Sequence, residues 1–106
     1  MSDVHAEMFA VREESGRFTR VFGSRVQVAM STFQREHKNI VKVIVREARE
    51  DEQSPYWGWV ESGSTKPTMI WPSKIQSDMC FPYGLKAAEE AGKGRQVNLV
   101  VEELQE

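Results

Sequence analysis

Apolar and polar residues alternate with a period of two along much of this chain, the spacing of half-buried β-strands. From Ala6 to Glu13 the alternation sets Glu7, Phe9 and Val11 against Met8 and Ala10. Glu14-Ser15-Gly16 supplies turn chemistry. Arg17 to Phe22 alternates again, with Phe18, Arg20 and Phe22 on one face and Thr19 and Val21 on the other. The two runs predict a hairpin. Gly23-Ser24 is a second turn signal, and Val26, Val28 and Met30 then share a face of a further strand. A helix competes for the same residues: Val26, Met30, Phe33 and His37 also stand at helical spacing, and Ser24 with Gln27 reads as a capping box. The β-branched alternation favours a strand to about Met30. A short helix near 31–38 follows, capped by Ser31 with Gln34 and stopped near Asn39.

Ile40 to Ala48 is the strongest strand signal, apolar on both faces of its first half apart from Lys42, so a central place in a sheet is expected. Tyr56 to Glu61 and Thr68 to Trp71 form a second strand pair across the polar loop Ser62–Pro67, and Pro72 stops the latter strand or confines it to an edge. Ser73 to Phe81 fits helix or strand: Ser73 with Gln76 is a capping box, while Ile75 and Met79 fit one face of either element. About 82–91 predicts a helix, with Pro82 early and Gly92 in the terminating position. Val97, Leu99 and Val101 alternate in a last strand over 96–101. The expected fold is α+β: a mostly antiparallel sheet with one clear helix in the C-terminal half, as a single domain over 1–106.

Composition adds bounds. The 106 residues are 40% hydrophobic and 28% charged, a globular balance, and a domain of this length can build a core without staples. The single cysteine, Cys80, allows no internal disulfide and favours a reducing cytoplasm. No secretory signal or membrane span is expected: an acidic residue stands at position 3, and the longest aliphatic run, 40–45, is interrupted by Lys42. The net charge of −2 argues against a surface devoted to nucleic acid or membranes. Residues 1–50 carry nine Lys/Arg against seven Asp/Glu and residues 51–106 five against nine, a mild asymmetry.

Catalytic and cofactor signatures are missing. His5, His37 and Cys80 lie too far apart for a zinc motif. Gly58 and Gly63 have P-loop spacing, but Ser64 stands where lysine is required. No nucleophile elbow, SxxK or HExxH is present, so neither metal nor cofactor is expected, and the reading leans away from an enzyme. Cys80, flanked by Met79 and Phe81, is expected to be buried or half-buried and structural.

Binding chemistry concentrates in residues 55–82, which hold all three tryptophans. Trp57 and Trp59 share one face of their strand, and Trp71 can join them across the ladder, while Gly58 leaves space on the opposite face. The rings either cap the core beneath the helix around Leu85 and Ala88 or form an exposed stacking platform. Tyr56, Trp57, Trp59, Lys66 and Trp71 are the candidate binding residues, with Lys66 and the backbone of its loop able to meet an anion. Arg12, Arg17, Arg20 and Arg25 form a candidate basic patch. The first functional expectation is a non-enzymatic domain that binds a protein partner or, as a homodimer, itself, strand addition being one route. The alternative is a nucleic-acid-binding module using these arginines with tryptophan stacking.

Overall fold

A computed structural model describes residues 4–31 and 39–104. It holds six strands: β1 (His5–Arg12), β2 (Phe18–Phe22), β3 (Ile40–Glu47), β4 (Tyr56–Glu61), β5 (Met69–Trp71) and β6 (Gly94–Glu103). All pair antiparallel in one sheet of order β2-β1-β3-β6-β4-β5. Three short helices accompany it: α1 (Arg25–Ser31), α2 (Lys74–Cys80) and α3 (Lys86–Glu90), the last two joined by a wide turn over Phe81–Leu85. The α+β architecture matches the reading from sequence. Ile40–Glu47 lies centrally between β1 and β6, and Trp71 joins the Trp57 side of β4 across the ladder, directly opposite Trp57.

The period of two decides which side of the sheet is inside. Met8 and Ala10 of β1, Val43 and Val45 of β3, Tyr56 and Val60 of β4, and Val97, Leu99 and Val101 of β6 all project from the same face and form the buried core. Strands β2 and β5, the two ends of the order, also lie against each other, so the sheet curls around that core like an open barrel. A side chain closes the seam where no ladder does. The Tyr56 hydroxyl accepts the buried Phe18 N–H at 2.8 Å, and the two rings lie 6.4 Å apart. Nearby, the Arg17 guanidinium donates to the Pro72 carbonyl at 2.6 Å.

Two expectations for the first half are corrected. Strand β2 does not keep its alternation, because Arg20 adopts φ 52° and the register with β1 slips by one residue between Phe9 and Val11. This bulge turns Phe18 and Val21 both into the core, so Phe18 and Arg20 do not share a face. The strand predicted over 26–30 is the helix α1. The Ser24 hydroxyl accepts the Gln27 N–H at 3.2 Å, and Val28 alone of its apolar residues is buried. The place beside β2 that another hairpin strand would take is occupied by the approach of β5. The short helix expected near 31–38 lies outside the described residues, apart from Ser31, which ends α1.

The ambiguous 73–81 segment is helical, and its cap explains why. Ser73 is extended (φ −152°, ψ 156°) and its hydroxyl accepts the Gln76 N–H. The helix expected over 82–91 therefore begins eight residues earlier and is broken in the middle. Tyr83 (ψ 43°) and Gly84 (φ 118°) leave helical geometry before α3 resumes. Gly92 (φ 73°) ends α3, with Gly92 N–H bonded to Glu89 O and Lys93 N–H to Ala88 O, the paired bonds of a left-handed C-terminal cap.

Candidate functional site

The outer surface of β4 and β5 carries Trp57, Trp59, Met69 and Trp71, because directly opposed residues in an antiparallel pair share a face. The structure divides the tryptophans. Trp59 is 4% exposed. Its ring meets the edge of Phe81 at 6.4 Å, and it packs so closely on β6 that a Cβ on Gly94 would stand 2.6 Å from it. Only the bare backbone of Gly94 leaves room for the indole. Trp59 is thus an anchor for the helical segment, as the core-capping alternative required. Trp57 and Trp71 are half-buried, and the Lys74 ammonium sits 5.4 Å from the centre of the Trp57 ring.

Tyr56 and Gly58 point the other way, into the core. A Cβ at Gly58 would stand 2.6 Å from Leu99 Cδ1 and 2.7 Å from the Met69 carbonyl oxygen. The space expected on that face is therefore filled by Leu99 and strand β5. Lys66 lies apart from the tryptophans, its ammonium resting against Gly23 at the start of α1.

Helix α2 sits over this outer surface, in contact with β4 and β5, and its orientation follows from one polar residue. Ser77 is fully buried and accepts from the Gln96 side-chain amide of β6 at 2.5 Å. The same amide donates to Asp78 at 3.1 Å, and Lys74 pairs with Asp78 at 3.1 Å. These contacts, the Gln96 hydrogen bond first and Lys74 second, hold the Asp78 carboxyl below its usual range. At 100° per residue, positions 75 and 79 fall on the side of the helix opposite Ser77. Ile75 and Met79 consequently face outward, 74% and 67% exposed, and Tyr83, in the turn that follows, is 88% exposed. Sequence reasoning passed over this row. The spacing of 75, 79 and 83 was the available signal, and convention sends such a stripe inward. Cys80 is exposed and free, which corrects the expectation of a buried or half-buried structural thiol: it is the last residue of α2, where the chain enters the wide turn, and no element covers it.

The four arginines of the candidate basic patch each have an intramolecular partner. Arg12 pairs with Glu103 at 2.6 Å. Arg17 donates to Pro72 O and lies 6.0 Å from the Tyr56 ring centre. Arg20 donates to Ser31 O at 2.6 Å. Arg25 lies 5.3 Å over Phe9 and donates to Ile40 O. On β3, the Arg46 guanidinium holds both Glu52 carboxylate oxygens at 2.7 Å. With the Arg49 N–H behind it, this drops the Glu52 carboxyl to about 2. The same contact raises the Arg46 side chain above its ordinary value.

Among the described residues no three His, Cys, Asp or Glu side chains gather to hold a metal ion, and no helix is long and apolar enough to cross a membrane. Comparison with protein-family models, curated proteins and solved structures finds no match to the chain.

Proposed function

We propose that this domain acts by binding a protein partner in the cytoplasm, without catalysis, through the outward side of α2 and the adjoining Trp57–Trp71 pair. One observation carries the reading: Ile75, Met79 and Tyr83 form an apolar row that the fold itself leaves in water, at 74%, 67% and 88% exposure. Ile75 and Met79 stand at i and i+4 on α2, a spacing with which helices enter a hydrophobic groove, and Tyr83 stands in the turn that follows. The strands beside α2 add Met69, 42% exposed, and the half-buried Trp57 and Trp71 to the exposed apolar area, which fits an interaction surface. Burying Ile75 and Met79 against a partner is worth roughly 1.5–3 kcal/mol gross for each side chain. Tyr83 supplies a ring with a polar tip, a residue type frequent at binding hot spots. The single cysteine supports the reducing compartment. No observation favours the nucleic-acid alternative, since its four arginines are each committed within the chain.

The test is a photo-crosslinking amino acid at position 83, with position 50 on an exposed loop as the control, in the cells that make the protein. A discrete adduct from position 83 that disappears with Ile75→Lys plus Met79→Lys supports the reading; an adduct of twice the chain mass identifies the partner as a second copy. Absence of any adduct, or the same adducts from both positions, would overturn it.

A further inference from the structure

A cavity of about 320 Å³ opens between the end of β2, the first turn of α1 and the loop preceding β5. It lies apart from the α2 surface and stands independently of the function proposed for it. Its apolar wall is made by Met8, which also belongs to the core, Phe22 and the buried Pro67. Its polar wall carries the Lys66 ammonium and the Gln27 side chain.

Lys66 is exposed, and its end rests in the space that Gly23 leaves open. A Cβ on Gly23 would stand 2.7 Å from the Lys66 Nζ and 3.1 Å from its Cε. Gly23 is not among the glycines with positive φ, so its backbone does not demand glycine; what the missing side chain provides is the space that the lysine end fills. The loop is pinned. The Ser64 hydroxyl accepts the Lys66 N–H at 3.1 Å, Thr65 O accepts the His5 N–H at 3.0 Å, and the Thr68 N–H donates to Trp59 O at 2.9 Å. Among the described residues no carboxylate pairs with Lys66, in contrast to Lys42 with Glu7 and Lys74 with Asp78. An exposed cation with no carboxylate partner among the described residues, beside an amide and an apolar wall, has the chemistry that takes a small organic anion.

We infer that this cavity binds a small carboxylic acid, its carboxylate on Lys66 and Gln27 and its short apolar body against Phe22 and Met8. The volume lies at the low end of small-molecule sites, roughly 300–1,000 Å³, which suits a single ring or a short chain. The carboxylate–ammonium contact is charge-assisted but open to water, so its removal is expected to weaken binding roughly tenfold, the low end for hydrogen bonds to charged groups.

The experiment is an amide NMR titration with phenylacetate, run beside phenylacetamide, its neutral counterpart, and inorganic phosphate, an anion with no apolar body. Saturable shifts confined to residues 22–28 and 64–68 are expected with phenylacetate, with phenylacetamide and phosphate each about tenfold weaker. Lys66→Met should remove the preference for the acid. Gly23→Ala, which displaces only the flexible lysine end, should weaken it while the rest of the spectrum stays in place. No saturable shift, equal binding of acid and amide, or phenylacetate binding unchanged in Lys66→Met would each overturn the assignment. Phosphate binding as tightly as phenylacetate would also overturn it, by removing the role of the apolar wall. Should Lys66→Met fail to fold, the acid-against-amide comparison on the unaltered chain decides alone.

Discussion

Tyr56→Phe separates a structural tyrosine from a binding one. The substitution keeps the ring in the core and deletes one oxygen, so packing is nearly conserved and the effect falls on a single hydrogen bond. That bond is the 2.8 Å contact in which the Tyr56 hydroxyl accepts the Phe18 N–H across the seam between β2 and β5. The donor is backbone and stays when the acceptor is gone. Phe18 is buried, so water cannot replace the lost partner without opening the seam. Leaving a buried donor unsatisfied costs about 1–3 kcal/mol, more than the net worth of an ordinary hydrogen bond. Against a total stability of roughly 5–15 kcal/mol this is a large fraction.

Urea denaturation reads the effect directly. With m near 1–3 kcal/mol/M for a small protein, a 2 kcal/mol loss moves the midpoint down by about 1 M without changing m. The corresponding fall in Tm is roughly 8–16 °C for a domain of about this size. Hydrogen exchange localises it: the Phe18 amide should lose protection by more than the global destabilisation explains, while amides of β3 and β6 follow the global change. If Tyr56→Phe retains wild-type stability to within about 0.5 kcal/mol, the ordinary scatter of neutral substitutions, the closure of the sheet by this hydroxyl is refuted.

Two further outcomes follow from the same coordinates. Cys80 is exposed, so the folded protein should consume one equivalent of a maleimide in native buffer at a rate close to that of the urea-unfolded chain; protection until unfolding would contradict the exposure of the C-terminal end of α2. Acid should destabilise the fold through Glu52, whose carboxyl is lowered from 4.5 to about 2, first by the Arg46 hydrogen bonds and then by the Arg49 N–H. A depressed carboxyl contributes stability above its unfolded pKa and loses it as the pH falls through the folded value, so Tm should decline between pH 4.5 and 2, and less steeply in Glu52→Gln.

The strands were legible because each presents one face to a single core, and a period of two records that in side-chain type. Met8/Ala10 and Val97/Leu99/Val101 read as shared faces for this reason, and the apolar run of β3 as a central strand. Where the record misled, a local device intervened. The left-handed Arg20 carries no glycine or asparagine to announce it, so the bulge that turns Val21 inward was invisible. In α1 the β-branched Val26 and Val28 favoured a strand, yet the Ser24 cap prevailed in a place where β5 leaves no room for one more ladder. Closure of the sheet is a property of its two ends together, and no pattern within either strand encodes it.

The outward side of α2 was hidden for a different reason. An amphipathic helix is read by assigning its apolar stripe to the core, and for α2 that rule gives the inverse of the structure. The space beneath α2 is already filled by Trp59, wedged against Gly94 and edged by Phe81, so the helix needs no large apolar side chain of its own facing inward. Ser77, tied to Gln96, is small enough to sit there and polar enough to fix the rotation. That rotation sends Ile75 and Met79 outward as a geometric consequence. Folding thus draws little on the outward row, and substitutions at such exposed positions typically change stability by no more than about 0.5 kcal/mol. Whatever the row does can therefore be removed without unfolding the domain, and Ile75→Lys with Met79→Lys isolates binding from structure in a way no change at Trp59 could.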